Sequence, residues 1–444
     1  MEKWDIQATR LKALFRSEYP LARLADLFSI RRERATEEQL ATGAVLMVDR
    51  VSFEGEIFAG SKADTKMTQY IGRQGDIIVS KIRARQGSVG YLDPTVSGQK
   101  PVSVTIHYRV LTPKHDRIDA RFAWLALRSD FGKAKFLAAT GGAMKGEISE
   151  HALLEMQIPL PPLSVQRAIV GRWRKAQETI AAANERIARI EHQTQARFLA
   201  DLGLTLPERA TPPKAFALKW QDLERWSVMF NQMAATGVDV SASKYGAVPL
   251  SECLQGTMNG YCIRPVGTKT KHKMLKLSAL RPEGLDLTES KYVKVPEKIA
   301  KRFHISKGDL LICRSVGSFD HIAKCALVEE DRPDILFPDI IIRARFNDMI
   351  LPEYAGALIQ SPIGRLWFQK NARTAVGMWK IGGGDIAGFP IPLPPLSVQR
   401  AIMERVEAGR AEIAREREAA DRLRRETQAD VEAMILGAKP VARK

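Results

Sequence analysis

Cysteine is scarce in this chain: there are four in 444 residues, all in the second half. Eight residues separate Cys253 from Cys262, and eleven separate Cys313 from Cys325. Neither gap makes the short Cys-x-x-Cys knuckle of a structural zinc site, and seven scattered histidines do not supply one. Reduced, mostly buried thiols of an intracellular protein are the expectation, with no resident metal. Also missing is any run approaching the ~18 apolar residues of a membrane span. The opening MEKWDIQATRLKALF carries no uninterrupted apolar core of a signal peptide. A soluble, cytoplasmic chain without a membrane partner is therefore expected. Positive charge, by contrast, is abundant: 68 Lys+Arg against 51 Asp+Glu leave a formal charge of +17. Such an excess favours a polyanionic partner, nucleic acid being the commonest, over a charge that merely aids solubility. With 45% apolar and 27% charged residues, the chain has the composition of folded protein and length for two or three domains.

The chain is written twice. Residues 158–169 read IPLPPLSVQRAI, and residues 391–402 repeat those twelve letters at an offset of 233. The same offset aligns Gly75-Asp76-Ile77-Ile78-Val79 with Gly308-Asp309-Leu310-Leu311-Ile312, a Gly-Asp turn entering an apolar strand. Upstream, Pro20–Leu24 is matched to Pro249–Cys253, and Glu2-Lys3-Trp4 to Glu224-Arg225-Trp226, at smaller offsets. One unit of about 220 residues thus occurs twice. Ahead of each Pro-rich box lie short apolar runs broken by turn residues: DIIVS (76–80), PVSVTIHYRV (101–110), DLLICRS (309–315) and ILFPDIIIRARF (335–346). These read as strands, with helical patterns over Ala120–Phe136 and Pro352–Lys370, giving a mixed α/β (α+β) domain in each copy.

After each box the texture turns to long uninterrupted helix, with Ser164 and Ser397 placed as N-caps behind prolines. One seam runs through Val165, Ile169, Trp173, Ala176, Ile180, Ala183, Ile187, Ile190, Thr194 and Phe198. The other runs through Val398, Ile402, Val406, Gly409, Ile413, Glu416, Ala420, Leu423, Thr427 and Val431. Two narrow stripes in one register predict an antiparallel coiled-coil pair, each helix about 39 residues and roughly 58 Å long. Gly409 and Glu416 interrupt the second stripe and are expected to mark a bend or a contact with another protein.

Two variable α/β domains, each followed by IPLPPLSVQR and a long helix, resemble the specificity subunit of Type I DNA restriction–modification systems. The resemblance covers nearly the whole chain; Val165 and Val398 stand where many members carry Glu. It implies two target recognition domains, each reading one half of a split, asymmetric site in double-stranded DNA. It further implies a pair of helices that holds the domains apart under a pseudo-two-fold repeat and docks two methyltransferase subunits, with motor-nuclease restriction subunits joining the assembly. S-adenosylmethionine, ATP and magnesium would belong to those partners. The implied boundaries are 1–157 for the first recognition domain, 158–206 for box and helix, 207–220 for a linker, 221–390 for the second recognition domain, 391–436 for its box and helix, and 437–444 for a tail. The residues agree in lacking catalytic marks: there is no Asn/Asp-Pro-Pro-Tyr/Phe box of an amino-methyltransferase and no Gly-x-x-x-x-Gly-Lys-Ser/Thr phosphate loop. A non-catalytic subunit is expected. The alternatives are a single-chain restriction or methyltransferase enzyme with weakly marked motifs, a specificity subunit of a non-Type-I system, and a structural coiled-coil adaptor.

The cationic surplus sits in the α/β regions. Residues 20–150 hold 20 basic against 15 acidic side chains and residues 244–390 hold 22 against 15, whereas the helix 397–436 holds 8 against 9. Base reading needs paired donors or acceptors on a rigid element. In the first copy the segment after the Gly-Asp strand offers Lys81, Arg83, Arg85, Gln86 and Ser88, expected to alternate along a continuing strand; Arg83 and Arg85 would grip guanine edges or neutralise phosphates. In the second copy the same segment offers Arg314, Ser318, His321 and Lys324. A second candidate precedes each box, where small residues accompany Lys145 and Lys380; the plainer reading is an ordinary glycine-rich turn. Trp4 and Trp226 are expected to anchor cores.

Overall fold

The architecture is that of a computed structural model describing residues 16–60, 67–140, 146–205 and 240–441 except 282–283 and 376, with parts of 215–234. Contacts divide the chain into two compact units, residues 1–184 with 418–444 and residues 185–417. Both boundaries fall inside long helices, so each unit holds the start of one helix and the end of the other.

The units are built alike, from two four-stranded sheets each. In the first unit one sheet runs in the order Phe28–Ile30, Tyr108–Pro113, Ile77–Ser80, Val89–Tyr91, all antiparallel. The second unit repeats it with Leu254–Asn259, Ile341–Phe346, Leu310–Cys313 and Cys325–Leu327. The other sheet orders Ile57–Gly60, Leu46–Val51, Val102–Thr105, Gln69–Gly72, its central pair parallel. Its counterpart is Ser290–Val293, His272–Leu275, Arg332–Leu336, His304–Ile305, again with a parallel centre. The runs 101–110 and 335–346, expected as single strands, are therefore each two strands that leave one sheet and enter the other. Ile106-His107 and Phe337–Ile340 make the crossings, where burial on two different faces breaks one apolar run.

Asp76 and Asp309, both 1% exposed, close the Gly-Asp turns. Asp76 accepts from the Arg73 N–H (2.8 Å), the Thr112 hydroxyl (2.8 Å) and the Arg31 Nε (2.9 Å). Asp309 accepts from the Ser306 N–H (2.9 Å) and the Arg345 Nε (2.6 Å). The positive φ of Gly75 (87°) and Gly308 (85°) supplies the left-handed step these turns need. Each expected helical region is also two helices, Ala120–Arg128 with Asp130–Ala139 and Pro352–Gln360 with Pro362–Asn371. The corner residue Ser129 or Ser361 donates to the ending helix (Ala126 O, 2.8 Å; Leu358 O, 2.7 Å) and accepts from the starting one (Gly132 N, 3.2 Å; Gly364 N, 3.1 Å).

The Pro-rich box closes each unit. Gln157–Pro159 pairs with Leu21–Arg23, and Pro390–Pro392 pairs with Ala247–Pro249. Ala22 lies opposite Ile158 and Val248 opposite Ile391, so the upstream match is offset by 226. Aligning Pro20 with Pro249 was three residues out, because the pairing with the box, and not the Pro-Leu letters, sets the register. Gln166 and Gln399 are wholly buried. Gln166 accepts from Asp119 N (2.8 Å) and donates to Arg117 O (3.0 Å) and Pro161 O (2.8 Å). Gln399 does the same with Leu351 N (2.8 Å), Met349 O (3.1 Å) and Pro394 O (2.8 Å). The repeated glutamine thus bolts the start of each long helix to the loop ahead of the first helix of the corner.

The long helices are Leu163–Asp201 and Leu396–Leu436. They start one residue before the expected caps: Pro162 and Pro395 carbonyls are the first acceptors, and Ser164 and Ser397 lie within the first turn. Pairing is antiparallel. In the first unit Arg172 meets Asp430, and Ile169 and Val170 share a core with Val431, Met434 and Ile435. In the second, Arg186 meets Glu416 at 2.9 Å and Asp201 meets Arg405 at 2.6 Å. Every seam position on both helices is buried or half-buried. The two interruptions have partners inside the second unit: Glu416 accepts from Arg186, and a Cβ on Gly409 would lie 2.4 Å from Thr194 Oγ1. Gly409 is the gap that Thr194 fills, and no bend is needed to explain it.

Candidate nucleic-acid interface

Each unit carries a tight turn between the Gly-Asp strand and its outer neighbour. In the first unit the strand ends at Ser80, so the basic residues do not alternate along a strand as expected. Residues 81–83 turn, Ala84–Gln86 form a short 3-10 segment, and Gly87 (φ 104°) returns the chain to Val89–Tyr91. The Ser80 hydroxyl accepts from the Arg83 N–H at 3.1 Å and starts the turn. The second unit follows the same course: Leu310–Cys313, then Ser315–Val316, the 3-10 segment Phe319–His321, and Ala323 with φ 57° before Cys325–Leu327. Ala323 is the one non-glycine residue with positive φ among the described residues, and such strain collects at functional turns.

Side chains in these turns have different fates. Arg83 and Gln86 are exposed, and Arg85 is half-buried. Lys81 is only 18% exposed and forms a 2.8 Å ion pair with Glu147, whose carboxyl it holds below the usual range. Ser88 is buried and donates to Val51 O at 2.9 Å, so its expected contact with DNA is corrected: its hydroxyl is spent within the core. In the second unit Ser318 and His321 are exposed, while Arg314 and Lys324 are half-buried. Arg314 donates through Nη1 to Asp339 O (3.2 Å), and its buried Nε has no partner.

The two candidate segments of the second copy prove to be neighbours. Met378–Lys380 pairs with Ser315–Val316 on one side and Arg373–Ala375 on the other, and Trp379 packs on Phe319 with ring centroids 4.5 Å apart. Lys380 is exposed at the end of the central strand of this small sheet, which replaces the expected glycine-rich turn. In the first copy Lys145 lies outside the described residues, but Ile148 N–H reaches Lys81 O at 2.9 Å, bringing the segment before the box to the same place. Trp4 lies outside the described residues, and Trp226 is 85% exposed, contrary to a core anchor. Sequence reasoning passed over the hairpin tip 52–56 and the crossing at 106–107, which flank the first turn with exposed Phe53 and Ile106. Their signal, apolar residues beside Gly or His in loops, is indistinguishable from core in a sequence.

Acidic side chains offset part of the local charge in the first unit. Glu150 pairs with Arg109 at 3.3 Å and with Arg32, and Glu147 lies 3.9 Å from His107 as well as beside Lys81. Cys253, Cys313 and Cys325 are buried free thiols and Cys262 is an exposed one; burial pushes Cys313 up to about 11 and Cys325 up to about 12. Among the described residues no group of three or more His, Cys, Asp or Glu could hold a metal ion. Among them, too, no helix is long and apolar enough to cross a membrane.

The class the fold defines is a two-sheet domain built twice, each copy closed by a Pro-rich box onto antiparallel helix. Residues 17–192 match the family model described as the Type I restriction modification DNA specificity domain. The Type I restriction enzyme EcoKI specificity subunit of Escherichia coli (strain K12) is 27% identical over 284 residues, 63% of this chain and 56% of that protein. The StySPI specificity subunit of Salmonella potsdam is 22% identical over 283 residues, again 63% and 56%. The chain thus spans just over half the length of these relatives. A solved chain from work on complex assembly and conformational transition of the type I R-M system shares the fold, with a TM-score of 0.53 at 15% identity over 94% of this chain and 97% of that one. Residues 17–192 thus match the Type I restriction–modification DNA specificity domain, and the chain is similar to Type I specificity subunits over 63% of its length.

Proposed function

We propose that this chain reads a two-part, asymmetric sequence in double-stranded DNA, one half with each unit, and presents that site to partner enzymes. The observation that carries this reading is a shared scaffold with unlike contents: the same sheets and the same turn expose Arg83 and Gln86 in one unit and Ser318 and His321 in the other. Residues 1–157 and 221–390 are the recognition domains, joined by 207–220, with 158–206 and 391–436 as box and helix and 437–444 as tail. Arg83, Arg85, Gln86, Lys145, Ser318, His321 and Lys380 are the contacting side chains, with Lys81, Arg314 and Lys324 shaping the turns behind them. The basic surplus in both recognition domains supports contact with phosphate. The chain itself is non-catalytic. Two methyltransferase subunits bring S-adenosylmethionine and methylate adenine, and motor-nuclease subunits bring ATP and magnesium chemistry, in the cytoplasm.

Methylome sequencing of cells expressing the chain with its methyltransferase tests the reading. The expected product is one interrupted, asymmetric motif, and Arg83→Ala with Gln86→Ala changes only one of its halves. A continuous motif, or none, would remove the proposal. Methylation or cleavage of DNA by the chain alone, given magnesium and S-adenosylmethionine, would favour the single-chain enzyme instead.

A further inference from the structure

The two turns are held from behind by arginines that occupy unrelated positions in the repeat. In the first unit Arg128, at the end of Ala120–Arg128, donates from Nε to Gly87 O (3.4 Å) and from Nη2 to Phe53 O (3.3 Å). Its guanidinium carbon lies 4.9 Å from the centre of the Trp124 ring, and Trp124 Nε1 donates to Val89 O at 2.8 Å. Two glycines make room for this joint. A Cβ on Gly55 would stand 2.6 Å from Arg128 Nε, and one on Gly87 would stand 2.3 Å from Phe53 O. The guanidinium therefore fastens the turn 81–87 to the hairpin tip 52–56, and burial lowers its pKa to about 10.

In the second unit the equivalent of Arg128, counted from the corner serines, is Gln360. There Arg365, in the first turn of Pro362–Asn371, donates instead to Asp320 O inside the 3-10 segment. The first-unit counterpart of Arg365 is Lys133, which turns to Asp130 at 3.2 Å. The strand leaving each turn is also tied to the first corner helix by different groups: Trp124 holds Val89, and Cys325 Sγ donates to Gly356 O at 3.6 Å. Both units thus have an arginine guanidinium donating to a turn carbonyl, reached from different helices. A shared inheritance would have kept the position; a shared mechanical need keeps only the contact.

We propose that Arg128 and Arg365 are positioning residues for base discrimination, each setting the place of one reading turn without touching DNA. This rests on the reading of the two units as separate half-site readers. A planar guanidinium offers its N–H groups in fixed directions, so it orients the carbonyl it meets, which an ammonium does less well. Side chains that read base edges need such fixing, because a loosened turn keeps its charge but loses its angles.

The test uses the full chain in complex with its methyltransferase and a pool of duplexes randomised over 20 bp (a length of roughly two helical turns), sequenced after binding. An intact reader discriminates about five- to a hundredfold against one mismatched pair. Arg128→Met, which keeps the packing on Trp124, should bring discrimination at one half-site towards parity and leave the other sharp. Arg365→Met should do the reverse, and Arg128→Lys should restore part of the loss. Gly55→Ala, which crowds the fork without touching its charge, should mimic Arg128→Met. Salt dependence should stay unchanged, since no phosphate contact is lost. Blurring of both halves by either single variant, or of neither by both, would overturn the proposal. If the unmodified complex selects no two-part sequence, the half-site reading itself fails, a result distinct from either.

Discussion

The first unit closes its turn with glycine and a half-buried arginine, while the second uses a left-handed alanine, a tilted Phe319–Trp379 ring pair and a three-stranded sheet. Behind those differences the sheets, corner serines and box glutamines repeat in detail. The scaffold is thus constrained by burial, and the turns are constrained only by the need to be held. Internal polar groups with three partners leave no room for variation, whereas an exposed loop can be fastened in several ways.

The sharpest way to break this comparison is at the glutamines. Gln166→Ala and Gln399→Ala each remove three buried hydrogen bonds. Each should cost about 3 kcal/mol or more in denaturant unfolding, because the backbone partners are left unsatisfied. The two losses should agree within about 1 kcal/mol if the closures are equivalent. A second probe is Gly409→Ala, whose Cβ collides with Thr194 Oγ1. It should lower stability by about 1–3 kcal/mol, and Thr194→Ala in the same chain should recover most of that. Ala176, the first-unit position in the same register, carries a Cβ and is buried.

Smaller effects sharpen the picture further. Arg186→Ala should change the melting free energy by less than about 1 kcal/mol, since Arg186 and Glu416 remain 48% and 30% exposed and water screens them. All four thiols lie in the second unit. Cys262 alone should react with a thiol reagent in the native protein, and all four should react after unfolding. Burial raises Cys325 to about 12 from an ordinary 9, so below pH 9 both states hold the proton. As pH rises from 9 towards 12 the unfolded chain ionises first and stability falls, an effect Cys325→Ser would remove from a pH–stability titration.

Much of the scaffold was legible beforehand. Identical boxes announced two units, the Gly-Asp signature located the central strands, and the three-four spacing located both seams down to Thr194 and Thr427. The turns were less legible. Alternating Lys81, Arg83 and Arg85 imitate a strand because period-two spacing carries no information about where hydrogen bonding to a neighbour stops. Ser88 looked like a surface donor, and burial against Val51 was invisible without the partner strand. Arg128 and Arg365 escaped for the same reason: nothing near them in the chain names the carbonyl they reach.

Sequence alone therefore determined the duplication, the helix pairing face and the chemical difference between the two sets of candidate contacts. Each is a matter of local pattern, carried by spacing along the backbone. Tertiary structure decided the crossing of strands between sheets, the close of each turn and which charged side chains are already engaged. Those depend on what lies across the fold, because a hydrogen bond or a collision is settled by distance in space and not by position in the chain.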